Sequence, residues 1–365
     1  MSYRDIGTDD HRVKVRSAPR SRPRTKLRPS HDSAALAWVM AVDRGRYTLV
    51  LPNGVRVMAV KARELGRRGV VLGDRVKVVG DISGTQGTLA RIVAVEERRT
   101  ELRRSADDSG NLGPEKVMVA NAEQLLIVTA SADPPPRHGM VDRCLVAAFD
   151  AGIRPMIVMT KTDLADPHVF LESYAGLGVA SFCLSLESEE NALGNEENVG
   201  EANRDTQAGL SELLAELSGH LTVFVGHSGV GKSTLINALV PDARRATGGV
   251  NLTTGRGRHT SSSAVAFPLD ARDLSPHNAE ENSDWGSGWV VDTPGVRSFG
   301  LAHVTPDSVL RGFPDLAEVA TACPRGCAHT QGEPGCALDE WVASPQGVES
   351  RLRSYRRLTA QRLER

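Results

Sequence analysis

The sequence has no uninterrupted apolar run of about 18 residues, the length that a membrane-spanning helix needs. It also lacks, near Met1, the short apolar core of a secretory signal. We therefore expect a cytoplasmic protein that neither spans nor binds a membrane.

Cysteine is scarce, and the number of cysteines is odd. The last three of the five are close together in the sequence. This arrangement is a poor basis for disulfide pairing, but it is typical of a metal site in a reducing cytosol. The cysteines are Cys144, Cys183, Cys323, Cys327 and Cys336.

The formal net charge is −1, but basic residues are concentrated near the start of the chain. Residues 11–30 contain eight Lys and Arg, three prolines, and no Asp or Glu. Such a segment cannot bury enough apolar surface to fold alone, so residues 1–34 are predicted to form a disordered basic arm. Nucleic-acid binding and simple solubilisation are both consistent with this composition.

With 365 residues, 40% of them hydrophobic, the chain can form about two or three domains. Residues 35–100 contain five short β-type runs separated by turn residues. This pattern predicts a small β-barrel of the OB type, although an SH3-like barrel would give nearly the same pattern. Its basic segment 63–69 suits RNA binding, and a structural spacer is the alternative.

From Val117, apolar strands alternate with helical patterns, which predicts a parallel α/β sheet in a domain over residues 115–300. Two acidic segments, at about 187–206 and 270–287, are expected to be surface insertions without secondary structure. Residues 301–365 form the last predicted domain, which is mostly helical.

The segment GHSGVGKS matches the phosphate-binding pattern G-x-x-x-x-G-K-[ST] and lies between an apolar strand and a helical pattern. Its backbone N–H groups and the helix N-terminus would surround a phosphate of a nucleoside triphosphate. Lys232 is expected to contact the β- and γ-phosphates and to act in catalysis, and Ser233 to bind Mg²⁺. The predicted nucleotide-binding residues of this P-loop are Gly226, His227, Ser228, Gly229, Val230, Gly231, Lys232, Ser233 and Thr234.

The segment TKTD follows a predicted strand and resembles the base-recognition motif of GTPases, which is usually N-K-x-D. Asp163 would accept hydrogen bonds from guanine, and the stem of Lys161 would lie across the ring. Adenine lacks both donors, so a carboxylate buried against adenine would be unpaired. Thr160 in place of Asn is expected to brace the loop less well, which would lower affinity more than base selectivity. Ser185 is a further candidate base contact.

The segment WVVDTPG would supply the third part of the site. Asp292 would hold Mg²⁺ through water, and the N–H of Gly295 would meet the γ-phosphate. Residues 255–264 are a candidate switch I, with Thr260 or Ser261 as the Mg²⁺-binding hydroxyl. An ordinary surface loop is the alternative for that segment.

The order of these motifs in the chain is unusual. TKTD (160–163) precedes the P-loop (226–233), whereas in an ordinary GTPase the P-loop comes first and the base-recognition motif last. The same sheet can form with its strands rejoined elsewhere, because the termini of α/β domains often lie close together. The sequence therefore predicts a circularly permuted P-loop GTPase, in which the segment after Gly295 is coupled to the loop that senses the γ-phosphate.

The sequence resembles the ribosome small-subunit-dependent GTPase A family. The resemblance lies in these motifs, in the segments GRHT and DTPGVRSFGL, in the barrel and in the C-terminal Cys/His cluster. The resemblance covers nearly the whole chain from about residue 30. It implies a GTP hydrolase that acts in late maturation of the small ribosomal subunit, binds rRNA and is stimulated by that subunit. Members of the family also carry Thr at the position of Thr160. We expect a monomer.

The residue after DTPG is Val296, where Ras-like enzymes carry a water-orienting Gln. Valine cannot hydrogen-bond water, so slow intrinsic turnover is expected. The family carries His just before the switch I Thr, which makes His259, together with Thr260, the candidate catalytic pair. A surface-loop histidine without a catalytic role is the alternative.

The segment CPRGCAHTQGEPGC contains Cys323, Cys327, His329 and Cys336. Three thiolates and one imidazole suit a single closed, tetrahedral, structural zinc site. Relative to the family spacing, the first gap is one residue shorter and the last gap one residue longer, which changes the expected loop geometry but not the ligand set. Buried or free thiols are the alternative.

Residues 350–365 contain six arginines at helical spacing beside an apolar stripe. The segment is either a docked helix with a solvated face or a further basic surface for rRNA, which would give salt-sensitive binding.

Two other functions are kept as alternatives. A P-loop ATPase or kinase would need adenine selectivity, against which Asp163 argues. A non-catalytic RNA-binding protein would not need Lys232, Ser233 and Asp292.

Overall fold

The computed structural model describes residues 33–66, 69–104, 116–186, 200–240, 264–270, 286–293, 299, 301, 304–344 and 347–360, with only the backbone at 200–206. The predicted basic arm, apart from residues 33 and 34, lies outside the described residues. Among the helices that the structure describes, none combines the length and the apolar character that crossing a bilayer requires.

The first part of the chain forms a closed β-barrel. Its sheet order is β1-β2-β3-β5-β4, and β4 pairs back with β1. The β3–β5 pair is parallel and the other barrel pairs are antiparallel. This Greek-key order confirms the OB-type barrel. The barrel strands are β1 (Ala35–Asp43), β2 (Arg46–Val50), β3 (Arg56–Lys61), β4 (Arg75–Gly80) and β5 (Ala90–Val95).

A two-stranded ribbon of β6 (Glu101–Arg104) and β7 (Lys116–Ala120) follows the barrel. Val117, where the α/β pattern begins in the sequence, therefore lies in this ribbon and not in the central sheet.

The central sheet has the order β10-β9-β8-β11-β13-β12. Its pairs are parallel except β12–β13. Every residue of β8 and β11 is buried, as expected for parallel strands covered on both faces. The strands are β8 (Gln124–Ala130), β9 (Arg154–Thr160), β10 (Ala180–Leu184), β11 (Leu221–Val225), β12 (Val265–Pro268) and β13 (Trp289–Asp292).

Helices cover this sheet and form the C-terminal region. The α-helices are α1 (His138–Ala151), α2 (His168–Leu171), α3 (Gly200–Leu217), α4 (Lys232–Leu239), α5 (Pro306–Val309), α6 (Pro314–Ala320), α7 (Ala337–Val342) and α8 (Glu349–Ala360). Short 3-10 helices span Arg63–Leu65, Glu172–Leu177 and Leu310–Gly312.

The prediction of an unstructured insertion at 187–206 is wrong for its last part, because α3 begins at Gly200. Residues 187–199 lie outside the described part of the chain. Most of the second insertion, residues 271–285, also lies outside it.

The barrel and the central sheet are joined through backbone and side-chain contacts. Ala41 on β1 pairs with Val265 on β12. At Gly73 the φ is +81°, and an added Cβ would lie 1.9 Å from the carbonyl oxygen of Ala120, so only glycine permits this approach. Asn121 Nδ2 donates to the Gly73 carbonyl at 2.9 Å. The barrel is therefore closely packed against the ribbon that leads into the sheet.

The chain after β13 enters the same apolar core as α1. Phe299 and Leu301 are buried there. Phe313 packs edge-on against Phe149 of α1 and against Tyr355 of α8. The C-terminal helices therefore share a core with the central sheet.

Candidate functional site

The predicted nucleotide-binding motifs lie at one edge of the sheet. The parallel strands β9, β11 and β13 end at Thr160, Val225 and Asp292. TKTD, the P-loop and DTPG begin at or directly after these residues. Ligands of open α/β sheets bind at the carboxyl ends of the strands, and the fold brings all three motifs to that edge.

The P-loop conformation depends on its glycines. Gly226 is buried, and an added Cβ would lie 2.5 Å from the carbonyl oxygen of Val128. Gly229 and Gly231 have φ values of +84° and +86°, in the left-handed region that favours glycine. Between them, Val230 is buried in the core and anchors the loop.

The other predicted P-loop residues surround the start of α4. Ser228 and Ser233 are exposed, whereas His227 and Thr234 are half-buried. Because α4 begins at Lys232, its first backbone N–H groups have no intrahelical partners and can bind an anion.

Lys232 connects the P-loop with the end of β13. Its Nζ donates to Asp292 Oδ1 at 2.7 Å and to the Thr293 carbonyl at 2.8 Å. The buried Thr293 hydroxyl donates to the Phe224 carbonyl at 2.6 Å, which fixes the start of DTPG against β11. The sequence analysis did not assign a structural role to Thr293. Its position directly after Asp292 within DTPG was the available indication of that role.

Thr160 connects the base-recognition motif with the P-loop. Its buried hydroxyl donates to the Val230 carbonyl at 2.5 Å and lies 3.3 Å from the Thr129 carbonyl. Thr160 therefore braces the phosphate loop directly, although Thr was expected to do so less well than Asn. The expected effect on nucleotide affinity stays a prediction.

Asp163 and Lys161 lie just beyond β9. The Asp163 carboxylate is exposed, and its Oδ1 accepts a hydrogen bond from the Ser185 hydroxyl at 2.5 Å. Ser185 directly follows β10, the parallel neighbour of β9. Lys161 has a φ of +54°, and its Nζ donates to the Asp133 carbonyl. The structure thus brings Ser185, the further candidate base contact, to Asp163.

Five of the sequence-predicted residues lie outside the described part of the chain. They are His259, Thr260, Ser261, Gly295 and Val296.

The four candidate metal ligands come together in the C-terminal region. Their ligand atoms all lie within 4.8 Å of one another. Nδ1 of the buried His329 is 3.9 Å from Cys336 Sγ. With Zn–S and Zn–N bonds of ordinary length, a tetrahedral site places sulfur and nitrogen about 3.6 Å apart. The donor set suits a tetrahedral metal ion, and the four ligand atoms are close enough together to hold one.

Turns and a helix start position these ligands. The Ala337 N–H at the start of α7 donates to Cys323 Sγ at 3.3 Å. On the other side of the imidazole, His329 Nε2 is 3.7 Å from Asp307 Oδ1. A carboxylate behind a ligating histidine is a common outer-shell arrangement in metal sites.

Comparison with known proteins agrees with this geometry. The model of the RsgA GTPase family matches residues 95–302. The chain belongs to this family. Small ribosomal subunit biogenesis GTPase RsgA of Pseudomonas putida is 35% identical over 298 residues, which are 80% of this chain and 74% of that protein. The protein of the same name from Pseudomonas aeruginosa is 35% identical over 285 residues, 76% of this chain and 72% of that protein.

Solved structures support the permuted fold of the RsgA family. The crystal structure of YjeQ from Thermotoga maritima matches with a TM-score of 0.57 at 23% identity, over 91% of this chain and 99% of that chain. YloQ, described as a circularly permuted GTPase, matches with a TM-score of 0.58 at 20% identity, over 91% of this chain and 96% of that chain. The strand order and these matches confirm the predicted permutation.

The structure favours one of the two interpretations of the C-terminal helix, because three of its arginines meet carboxylates. Arg351 pairs with Asp315 on α6, and Arg356 Nη1 lies 2.8 Å from Asp339 Oδ1 on α7. Arg357 lies 3.3 Å from the buried Asp142 on α1. Because carboxylates on three other helices balance these three arginines, the docked-helix interpretation describes α8. Arg362 and Arg365 lie outside the described residues.

The Asp142 contact is electrostatically unusual. Burial raises the pKa of Asp142, and the charge of Arg357 only partly opposes that effect. The guanidinium of Arg357 also stacks over the Tyr174 ring at 4.8 Å. The contact between Arg357 and Tyr174 joins α8 to the segment between β9 and β10.

Proposed function

We propose that this protein hydrolyses GTP as a late assembly and maturation factor of the small ribosomal subunit. The hydrogen bond from Thr160 to Val230 carries the proposal, because it joins a guanine-type recognition motif to a phosphate loop. The relatives from both Pseudomonas species bear the name small ribosomal subunit biogenesis GTPase, which supplies the assembly role.

The residue roles follow from the chemistry of phosphoryl transfer. Lys232 would neutralise the β- and γ-phosphates, and Ser233, Thr260 and Asp292 would hold Mg²⁺ directly or through water. Lys161 and Asp163 would bind guanine, and Gly295 would meet the γ-phosphate. His259 would orient the attacking water. The 2.7 Å contact between Lys232 and Asp292 supports placing the phosphate and Mg²⁺ positions side by side.

We further propose that Cys323, Cys327, His329 and Cys336 hold one structural zinc ion. The four ligand atoms, all within 4.8 Å of one another, support this proposal, because three thiolates and one imidazole would complete a closed tetrahedral site and leave no position for a reacting water.

The proposed partner is the small subunit and its rRNA, bound by a monomer in the cytoplasm. Because the described arginines of α8 are largely balanced by carboxylates, the barrel is the better candidate for rRNA contact. Arg44, Arg46 and Arg91 are exposed there, and localised positive charge gives salt-sensitive binding to phosphates.

Two measurements test this function. GTP hydrolysis should rise on addition of small ribosomal subunits but not of large subunits. Co-sedimentation with small subunits should be stronger with a non-hydrolysable GTP analogue than with GDP. Equal competition by ATP would favour an ATPase or kinase, and subunit binding without any hydrolysis would favour a non-catalytic RNA-binding protein.

A further inference from the structure

Arg356 of α8 reaches across to the loop that carries the metal ligand His329. Its Nε donates to the His329 carbonyl at 2.9 Å, and its Nη2 donates to the Thr330 carbonyl at 3.0 Å. Its Nη1 lies 2.8 Å from Asp339 Oδ1. Asp339 is on α7, which begins directly after Cys336. One guanidinium therefore connects two consecutive carbonyls of the loop with the helix that follows the last ligand.

The backbone of His329 needs such support. Its φ is +58°, a left-handed conformation that residues with a Cβ adopt only when their surroundings hold them in it. Two hydrogen bonds to the His329 and Thr330 carbonyls fix the two peptide planes that follow the strained residue. This conformation places Nδ1 on the side of the thiols.

Arginine is suited to this position. The planar guanidinium can donate to several acceptors at fixed angles, whereas a lysine ammonium could keep the ion pair without reproducing the fork. Burial lowers the pKa of Arg356, but the hydrogen bonds and charges of Asp339 and Cys336 together raise it above its usual range.

We propose that Arg356 is a positioning residue for the metal site, which holds the His329 backbone so that the imidazole faces the three thiols. Asp339 orients the guanidinium from the opposite side. This inference rests on the zinc role proposed above. Outer-shell residues of metal sites typically change metal affinity by about 10–100-fold when they are replaced.

The test is zinc release from the full-length protein to a colorimetric chelator, together with zinc content by mass spectrometry. We expect Arg356→Ala to release zinc at least about tenfold faster than the wild type, and Arg356→Lys to be intermediate. Arg353→Ala is the matched control, because Arg353 lies on the same helix, is exposed and pairs with Glu349 one turn away.

A second control separates the loop contacts from helix docking. Arg351→Ala removes contacts of α8 to Asp315 and to the Gly176 carbonyl but leaves those of Arg356. Equally fast release from Arg351→Ala and Arg356→Ala would show that docking alone matters and would overturn the proposal. Release from Arg356→Ala at the wild-type rate would also overturn it while leaving the zinc role intact. A wild-type protein that contains no zinc would overturn both the zinc role and the positioning role of Arg356.

Discussion

At the scale of single residues, the hydroxyl of Thr160 connects the TKTD motif with the P-loop. In most GTPases an Asn amide occupies this position, and its side chain is longer. Here the shorter Thr side chain reaches the Val230 carbonyl at 2.5 Å. The strand β9 therefore has to end close to the P-loop, and this proximity is a property of the folded sheet.

Replacing Thr160 by Val removes the hydroxyl with little change of shape. The Val230 carbonyl would lose its donor, at a cost of about 1–3 kcal/mol. We expect GTP affinity to fall about tenfold, equivalent to about 1.4 kcal/mol, without loss of preference for GTP over ATP. Titration with a fluorescent nucleotide, with GTP and ATP as competitors, measures the affinity and the preference for GTP. Thr88→Val, in a barrel turn, is the control, and wild-type affinity in Thr160→Val would contradict the bracing role.

His259 offers a test of the catalytic assignment. If His259 orients water, His259→Ala should leave GTP affinity unchanged, because the imidazole would act only in the transition state. Subunit-stimulated turnover should fall by about tenfold or more. Steady-state hydrolysis with saturating small subunits measures this effect. Turnover equal to that of the wild type would mean that His259 is an ordinary loop histidine.

At the scale of elements, α8 joins the metal region to the nucleotide-binding domain. Arg351 donates to the Asp315 carboxylate on α6 and to the Gly176 carbonyl, and its guanidinium lies 5.1 Å from the Phe313 ring centre. Burial raises the pKa of Asp315, but the hydrogen bonds and charge of Arg351 outweigh it and lower the pKa overall. Docking therefore combines an ion pair with packing.

Arg351→Ala should weaken this docking. Removing hydrogen bonds to a charged partner costs about 1.5–3 kcal/mol, so we expect a thermal midpoint lower by several degrees. Arg353→Ala, on the exposed face of the same helix, should shift the midpoint by less than about one degree, since exposed i,i+4 pairs contribute little. Differential scanning calorimetry compares the thermal midpoints of the two variants with that of the wild type. Equal midpoints of the two variants would show that Arg351 adds nothing to docking.

At the scale of the whole molecule, the permuted chain order determines which part of the protein follows the DTPG segment. After Asp292 the chain passes through Phe299 and Leu301 into a core shared by α1 and the C-terminal helices. The segment proposed to sense the γ-phosphate is therefore linked by a short stretch of chain to the region of the candidate metal ligands. At the edge of the central sheet formed by β12, that strand pairs with the barrel strand β1.

Removal of the metal should affect these parts unequally. Because metal binding contributes directly to the folding of small metal-binding regions, a zinc-selective chelator should unfold the C-terminal region. Most nucleotide binding should remain, since the P-loop and TKTD are held by strands of the central sheet. Hydrogen exchange of residues 304–360, with fluorescent-nucleotide binding in excess Mg²⁺, measures both responses. Unchanged exchange, or parallel loss of nucleotide binding, would contradict this prediction.

The sequence by itself determined the motifs, their order and the fold class, although it left the type of barrel open between OB and SH3-like. The P-loop glycines, TKTD and DTPG act through local backbone geometry and functional groups at fixed spacing, so they can be recognised in the sequence alone. The buried strands β8 and β11 appear as continuous apolar runs, and the turn residues of the barrel separate its strands. The circular permutation follows from motif order alone, and the candidate metal ligands follow from residue type and spacing.

Tertiary structure alone decided which partners the polar side chains take. Arg351, Arg356 and Arg357 have the helical spacing of a solvated basic face, yet each meets a carboxylate on another helix. Likewise, nothing near Thr160 in the sequence indicates the Val230 carbonyl, 70 residues further along the chain. Periodicity and motifs report local conformation, whereas these contacts depend on how the elements pack together, and only the folded chain brings the partners within hydrogen-bonding distance.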